Sequence, residues 1–137
     1  MELQVGVKIL LQNTERKFLI LQRNLEKYPD ITKERSLDIP GGRIEKGVSL
    51  FTNLQREVRE ETGLELEDEP NLIIAEDIIK TDKHVVRLTY AGLVQGEPTL
   101  SEEHSSYQWL SLEELKTIKG LDSYTLNAIN KLTALTN

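Results

Sequence analysis

Apolar residues follow a strand-like pattern in several parts of the chain. Runs that are rich in Val, Ile and Leu, or that alternate with polar residues, predict these strands: Leu3 to Leu11, Lys17 to Arg23, Leu37 to Pro40, Leu64 to Leu66, Asn71 to Lys80, His84 to Val94 and Ser105 to Leu110. The first two should pair as a hairpin, and so should the two that flank Thr81-Asp82-Lys83. Sequential hairpins argue against a doubly wound parallel sheet.

Helical periodicity occurs in three other segments. A long helix should begin at the N-cap Ser49 and end at Thr62-Gly63, and a capping box at Ser111 to Glu114 predicts a short helix reaching about Lys119. The last helix should start at Asp122 or Ser123 and turn the following residues inward: Leu126, Ile129, Leu132 and Leu135. The polar segment from Asn24 to Arg35 is expected to be a surface loop. Strands on both sides of one long helix indicate a mixed α/β or α+β sandwich.

The long helix carries both an apolar stripe and an acidic cluster. The residues of the stripe should face the core: Leu50, Phe51, Leu54 and Val58. Glu57, Glu60 and Glu61 share one side, because positions i, i+3 and i+4 are neighbours on a helix. Glu61 should be partly buried, where an unpaired carboxylate is costly and a cation would relieve the cost. The alternative is a solvated acidic face, with Arg56 and Glu60 as a simple i,i+4 pair.

Composition narrows the class of protein. The 137 residues are expected to form one domain, 1–137, with 38% hydrophobic and 29% charged residues, as in soluble globular proteins. A net charge of -6 argues against nucleic acid and anionic membranes as partners. The absence of cysteine excludes disulfides, zinc-thiolate sites and cysteine nucleophiles. The residues Met1 to Gln4 have neither the basic start nor the apolar core of a signal peptide, so a cytoplasmic location is expected.

The loop before the long helix changes the interpretation of the acidic cluster. Gly41-Gly42 lets the backbone turn and approach a ligand closely, and the Arg-Glu-x-x-Glu-Glu-x-Gly helix follows. Joined, the two resemble the box of the Nudix hydrolase family, and the positions that fit in register are Gly42, Arg56, Glu57, Val58, Glu60, Glu61, Gly63 and Leu64. Val48 stands where the family has a glutamate, although Glu45 is present. The segments Leu21 to Arg23 and Tyr107 to Leu115 also resemble the family.

The resemblance implies a Nudix-type α/β/α sandwich with a mixed central sheet and a catalytic loop-helix. It also implies hydrolysis of a nucleoside diphosphate linked to another group, with Mg²⁺ as cofactor and Mn²⁺ as a substitute. By position, Glu57 and Glu61 would be the principal metal ligands, with Glu60 as a third carboxylate and the Gly41 carbonyl as a backbone ligand. Arg56 would orient these glutamates.

The resemblance further implies substrate contacts from Arg23, Gly41 and Gly42, and a carboxylate from a loop beyond the box. Glu102 and Glu103 are the candidates for that carboxylate, with Glu103 preferred for metal binding or as a base. A solvated loop remains the alternative. Neither His84 nor His104 is expected to be catalytic, because two histidines without supporting spacing are weak evidence.

The expected substrate is inferred from two family residues that are absent downstream of the box. The proline of ADP-ribose members and the tyrosine of dinucleoside polyphosphate members are both absent from Ile79 to Asp82. By elimination, the chain is most similar to MutT-like members, which convert a (d)NTP to a (d)NMP and pyrophosphate. The alternatives are an ADP-ribose or nucleotide-sugar pyrophosphatase and, because of Val48, a catalytically weakened nucleotide-binding or regulatory module. A homodimer is compatible with the sequence, but pattern alone locates no exposed strand edge.

Overall fold

The computed structural model describes residues 1–32 and 35–136, so Lys33 and Glu34 of the predicted surface loop lie outside the described residues. The strands are β1 (Glu2–Gln12), β2 (Phe18–Arg23), β3 (Leu37–Asp38), β4 (Gly41–Arg43), β5 (Asn71–Ile79), β6 (Lys83–Leu93) and β7 (His104–Leu110). The helices are α1 (Leu50–Thr62), α2 (Leu112–Leu115) and α3 (Ser123–Thr136).

The strands form one mixed sheet with the order β3-β2-β1-β6-β5, in which β4 also pairs with β1 and β7 with β2. β1 pairs in parallel with β6 over its whole length, from Glu2 opposite Lys83 to Gln12 opposite Leu93. The other pairings are antiparallel. The mixed α/β sandwich predicted from the sequence is therefore confirmed.

Apolar side chains fill both faces of this sheet. One cluster lies on the side of α1 and consists of Val7, Ile9, Leu11, Leu19, Leu21, Leu54, Val58, Leu64 and Val94. The other lies on the side of α2 and α3 and consists of Leu10, Phe18, Ile20, Leu37, Ile39, Leu110, Leu115, Leu121, Ala128 and Ile129. Alternate residues of β1 and β2 enter opposite clusters, as the two-residue period of a strand requires. The sheet therefore fixes α1 on one face and α3 on the other.

One of the two predicted hairpins is present in the structure, and the other is limited to its turn. β5 and β6 pair as predicted around the turn in which the Lys80 N–H donates to the Lys83 carbonyl at 2.8 Å. The predicted β1–β2 hairpin is wrong beyond its turn, because the two strands pair only at Gln12 and Phe18. They then diverge, since β1 pairs with β4 and β6 while β2 pairs with β3 and β7.

The strand predicted at Leu64 to Leu66 is absent from the described part of the chain. Gly63 takes a left-handed conformation with φ 69, and the Leu64 N–H donates to the Thr62 hydroxyl at 3.1 Å. The Leu64 N–H, which would have donated to a neighbouring strand, is thus bonded to the Thr62 hydroxyl at the end of α1. Leu64 is nevertheless buried on the α1 side of the sheet.

Two helix predictions also need correction. α2 ends at Leu115 rather than near Lys119, because the N–H groups of Lys116 and Thr117 bond the carbonyls three residues back, at Glu113 and Glu114, and so tighten the chain into a turn. Leu135 of α3 is 62% exposed and does not face the core. Within the described residues, no helix combines the length and the apolar character that a membrane crossing requires.

Candidate active site

The loop before α1 is held against the first turn of the helix by side-chain hydrogen bonds. Ser49 is the N-cap as predicted, and its hydroxyl accepts from the Thr52 N–H at 3.1 Å. Asn53 is fully buried and accepts from the Glu45 N–H at 2.9 Å, while its amide donates to the carbonyls of Val48 and Ser49 at 3.0 and 2.7 Å. Loop and helix are therefore one rigid unit.

This arrangement explains why two residues of the predicted apolar stripe are not buried. Leu50 is 37% exposed and Phe51 is 36% exposed, whereas Leu54 and Val58 are fully buried as predicted. The inward position of the first turn belongs to Asn53, which faces the loop rather than the sheet. Spacing alone does not reveal which partner covers a helical turn.

Gly41 and Gly42 bring the backbone close to the core strand and to the helix. Gly41 has φ 148, and a Cβ there would lie 2.0 Å from the Val7 carbonyl oxygen. A Cβ on Gly42 would lie 2.7 Å from Oε1 of Glu57. Only glycine fits at Gly41, and a side chain at Gly42 would displace the Glu57 carboxylate.

The acidic residues of α1 line a cavity of about 370 Å³. Among the described residues, its walls are formed by Lys27, Glu57, Glu60, Glu61, Ser101, Glu102 and Glu103. The structure therefore brings the three helix glutamates together with both of the loop glutamates singled out in the sequence. A polyanionic substrate would be repelled by this lining unless cations bound with it.

Arg56 lies beside these glutamates and contacts three carboxylates. Its guanidinium is 2.8 Å from Glu45, 3.1 Å from Glu57 and 3.9 Å from Glu60. The i,i+4 contact with Glu60 is the longest, so the simple helix pair does not describe this side chain. Arg56 instead fixes the Glu57 carboxylate, the arrangement expected of a residue that orients a ligand.

Glu61 is the most enclosed of the three, with 5% of the residue exposed. Its Oε2 accepts a hydrogen bond from the Gly41 N–H at 2.9 Å. Burial raises the pKa of Glu61 to about 8, Lys8 and the Gly41 N–H act against this rise, and Asp38 and Glu57 add to it. The predicted partial burial of Glu61 is thus observed, and the carboxylate lacks a cation at bonding distance among the described residues.

Sequence reasoning missed a second buried carboxylate, Asp38, and the cations around it. Asp38 is 4% exposed and lies 3.0 Å from Lys8, 3.4 Å from Arg23 and 3.3 Å from the His104 ring. Burial opposes ionisation, but Lys8, His104 and Arg23 outweigh it and hold the pKa of Asp38 well below its usual range. The available signal was a charged residue inside an apolar strand, both at Lys8 and at Asp38.

His104 belongs to this buried region, whereas His84 does not. A ring nitrogen of His104 and carboxylate oxygens of Glu61 and Glu103 all lie within 4.8 Å of one another, which is close enough to hold one metal ion. His84 instead bonds Asp77 at 2.6 Å near the start of β6. Hard carboxylate oxygens beside a buried, uncompensated glutamate fit a divalent metal.

Arg23 lines a neighbouring cavity of about 570 Å³ rather than the acidic one. Gln22, Asn24 and Leu25 also line this second cavity. Asn24 connects the linings of the two cavities, because its N–H and its side-chain amide donate to the carbonyls of Glu103 and Glu102, each at 2.9 Å. The site therefore has an acidic compartment and an adjoining one with amide and apolar groups.

A model of the NUDIX domain matches residues 2–129 of the chain. The chain therefore belongs to the Nudix family and is a Nudix hydrolase, an enzyme that acts on nucleoside diphosphate derivatives. The resemblance stated from the box is confirmed at the level of the family. Members of the family generally use a divalent metal ion.

Solved structures with the same fold span nearly the whole chain. A MutT protein from Methanosarcina mazei Go1 is 26% identical with a TM-score of 0.82, and the match covers 99% of this chain and 96% of that one. The E. coli ORF135 protein is 20% identical with a TM-score of 0.80, covering 99% and 92%. A C. elegans Ap4A hydrolase is 18% identical with a TM-score of 0.70, covering 99% and 98%. A search of curated proteins gave no match.

Proposed function

We propose that this enzyme is a Mg²⁺-dependent, MutT-like hydrolase that converts a (d)NTP to a (d)NMP and pyrophosphate, with residues 1–137 forming one domain. The observation that carries the proposal is the acidic cavity, in which five glutamates face a single lysine among the described residues. The similarity over almost all of both chains to a MutT protein supports a MutT-like enzyme.

The residues proposed to hold the metal are Glu57, Glu60 and Glu61, together with the Gly41 carbonyl. Mn²⁺ is expected to substitute for Mg²⁺, since both accept carboxylate oxygen ligands. When bound, the metal would neutralise charge on phosphate oxygens and increase the acidity of a water molecule. Without the metal, burial makes the charged form of the Glu61 carboxylate unfavourable, as its raised pKa indicates.

Other residues are proposed to position the substrate. Lys27 lies on the wall of the acidic cavity and Arg23 lies at the edge of the next one, so both are available to phosphate oxygens. The Gly41-Gly42 backbone would approach the phosphates closely. The second cavity would take the nucleoside, where Gln22 and Asn24 offer amide groups to a base.

Glu103 is proposed to supply the loop carboxylate, as a metal ligand or as the general base. It lines the cavity opposite the glutamates of α1, and the Asn24 N–H holds the Glu103 carbonyl at 2.9 Å. A carboxylate on a loop fixed in this way can accept a proton from water as the water attacks phosphorus. Glu102 shares the wall and is the alternative.

Val48 does not line the acidic cavity among the described residues. Glu45, three positions earlier, pairs with Arg56 at 2.8 Å and so joins the carboxylate network of α1. We propose that Glu45 takes over part of the role that the family assigns to the glutamate at position 48. Enzymatic turnover is therefore expected despite Val48.

The test is a hydrolysis screen over nucleotides and sugar nucleotides with Mg²⁺, in which products are identified. Pyrophosphate and a monophosphate from a triphosphate are expected. Two monophosphates from ADP-ribose or a sugar nucleotide would assign a different substrate. Nucleotide binding without any hydrolysis would identify a binding module, and Val48→Glu should then raise activity.

Substitutions test the assigned residues within the same screen. Glu57→Gln should fold normally and lose turnover, because it removes a proposed metal ligand that Arg56 holds in place. Glu113→Gln is the matched control, since that glutamate is 84% exposed on α2 and pairs only with Lys116 among the described residues. Full activity of Glu57→Gln would contradict the proposed metal site.

A further inference from the structure

His104 is enclosed far more completely than a solvent-facing loop residue would be. Its side chain is 3% exposed, although it begins β7 directly after two loop glutamates. One ring nitrogen, Nε2, is 3.3 Å from Oδ2 of Asp38. The other, Nδ1, is buried without a hydrogen-bond partner among the described residues. An unpartnered buried nitrogen of this kind calls for a ligand.

Asp38 determines which nitrogen carries the proton. Its other oxygen, Oδ1, faces the ammonium of Lys8 and the guanidinium of Arg23, so the side chain is anionic and can only accept hydrogen bonds. Nε2 must therefore donate to Asp38. In a neutral ring with this tautomer, Nδ1 carries the lone pair, which is the form of imidazole that binds metals.

The surroundings of His104 supply the remaining donors. A ring nitrogen of His104 and oxygens of Glu61 and Glu103 lie within 4.8 Å of one another, and Glu61 is buried without a bonded cation among the described residues. Nε2 contacts Asp38 and Nδ1 has no hydrogen-bond partner among the described residues, so we assign Nδ1 as the nitrogen open to a metal. With a metal bound between His104 and the two glutamates, Asp38 would complete a carboxylate–histidine–metal arrangement.

We propose that Nδ1 of His104 is a ligand of the divalent ion at this site, shared with Glu61 and Glu103 and oriented by Asp38. The proposal rests on the metal dependence of the proposed function and deepens it. An imidazole ligand favours transition metals over Mg²⁺, which prefers oxygen donors. The enzyme therefore binds Mn²⁺ more tightly than Mg²⁺, the ion on which the proposed turnover depends, and His104 increases this difference in affinity.

The test is pulsed EPR of Mn²⁺ bound to the full chain without nucleotide, together with Mn²⁺ and Mg²⁺ binding isotherms. The variants are His104→Gln, whose amide retains a donor near the position of Nε2 for Asp38, and His84→Gln as the matched control. Wild type and His84→Gln should show ¹⁴N coupling to Mn²⁺, which changes in the expected way when histidine is labelled with ¹⁵N. His104→Gln should lose the coupling and bind Mn²⁺ about 10-fold or more weakly, with a smaller change for Mg²⁺.

Several results would overturn the inference. These are the absence of bound Mn²⁺, bound Mn²⁺ without ¹⁴N coupling in wild type, and coupling that persists in His104→Gln. The wild-type spectrum decides the matter even if His104→Gln fails to fold. Nucleotide hydrolysis with no ¹⁴N coupling would refute the histidine ligand but leave the proposed function intact. Coupling without hydrolysis of any nucleotide would refute the proposed function but leave the histidine ligand intact.

Discussion

Arg87 beneath α3 and Glu61 on α1 are both buried ionisable groups, and they differ in whether a group of opposite charge lies at bonding distance. Beneath α3, Arg87 is 8% exposed and contacts both carboxylate oxygens of Asp122 at 3.3 Å and the Thr125 hydroxyl at 2.6 Å. On the α1 side, Glu61 is 5% exposed and receives the Gly41 N–H. Both Arg87 and Glu61 are removed from water, but among the described residues only Arg87 has a group of opposite charge at bonding distance.

The pKa directions follow from this difference. Burial opposes ionisation of Asp122, yet Arg87 and the Thr125 N–H outweigh it and hold the pKa of Asp122 below its ordinary value. Burial dominates at Glu61 and raises its pKa. In the first region the buried charge of Arg87 is balanced by Asp122, and the pair attaches α3. In the second region the carboxylate of Glu61 has no cation at bonding distance among the described residues, which is the character of a functional site.

Glu61→Gln should give the largest effect on activity and little effect on stability. Loss of a metal ligand is expected to lower turnover about 1,000-fold, which corresponds to about 4 kcal/mol in transition-state stabilisation. The metal-free variant should melt at or above the wild-type temperature, because an uncompensated buried acid has been removed. Mg²⁺ with nucleotide should raise the melting temperature of wild type but not of the variant. A strongly destabilised variant would remove the contrast between the two regions.

Asp122→Asn should show the opposite pattern. Arg87 would keep its charge in a buried position without its partner, so we expect a loss of about 2 kcal/mol in the free energy of unfolding, with turnover retained. Denaturant titration measures this loss. Asp68→Asn is the control, since Asp68 is exposed. Equal stability of the two variants would show that the Arg87 pair does not stabilise the attachment of α3.

Gly42→Ala should weaken catalysis without unfolding the protein. The added Cβ would meet only the flexible end of Glu57, at 2.7 Å, so the carboxylate should move and turnover should fall about 10- to 100-fold. Gly6→Ala is the matched control, because its Cβ would lie 3.8 Å from the Gly42 carbonyl oxygen. Steady-state kinetics should separate the two variants. Equal kcat values would place Glu57 outside the chemistry.

The smallest expected effect is a change in the acid limb of the stability profile. The pKa of Asp122 is lowered in the folded state, so its contribution is complete above its unfolded pKa of about 3.9 and is lost as pH falls through the folded value. Between pH 5 and pH 2, wild type should therefore lose more unfolding free energy than Asp122→Asn. Parallel curves for the two proteins would contradict the assigned shift.

The local features of the fold could be predicted from the sequence, whereas the long-range pairings could not. The β5–β6 turn, the Ser49 cap and the burial of Glu61 follow from residues a few positions apart. Lys8 and Asp38 are brought together by the pairing of distant strands, and no periodicity predicts such a contact. For the same reason, the divergence of β1 from β2 was not visible. The exposure of Leu50 could not be predicted, because it depends on Asn53, which takes the inward position of the first turn of α1 and bonds the preceding loop.

The hydrogen bonds of Asn53 have a consequence for the thermodynamics of binding. The backbone from Glu45 to Ser49 is tied to α1 before any substrate arrives. Its conformational entropy is therefore lost when the chain folds rather than when a nucleotide binds. Replacing Asn53 would return that entropy to the free enzyme, so a nucleotide would have to order the loop and would bind more weakly even though Asn53 lies outside the cavity.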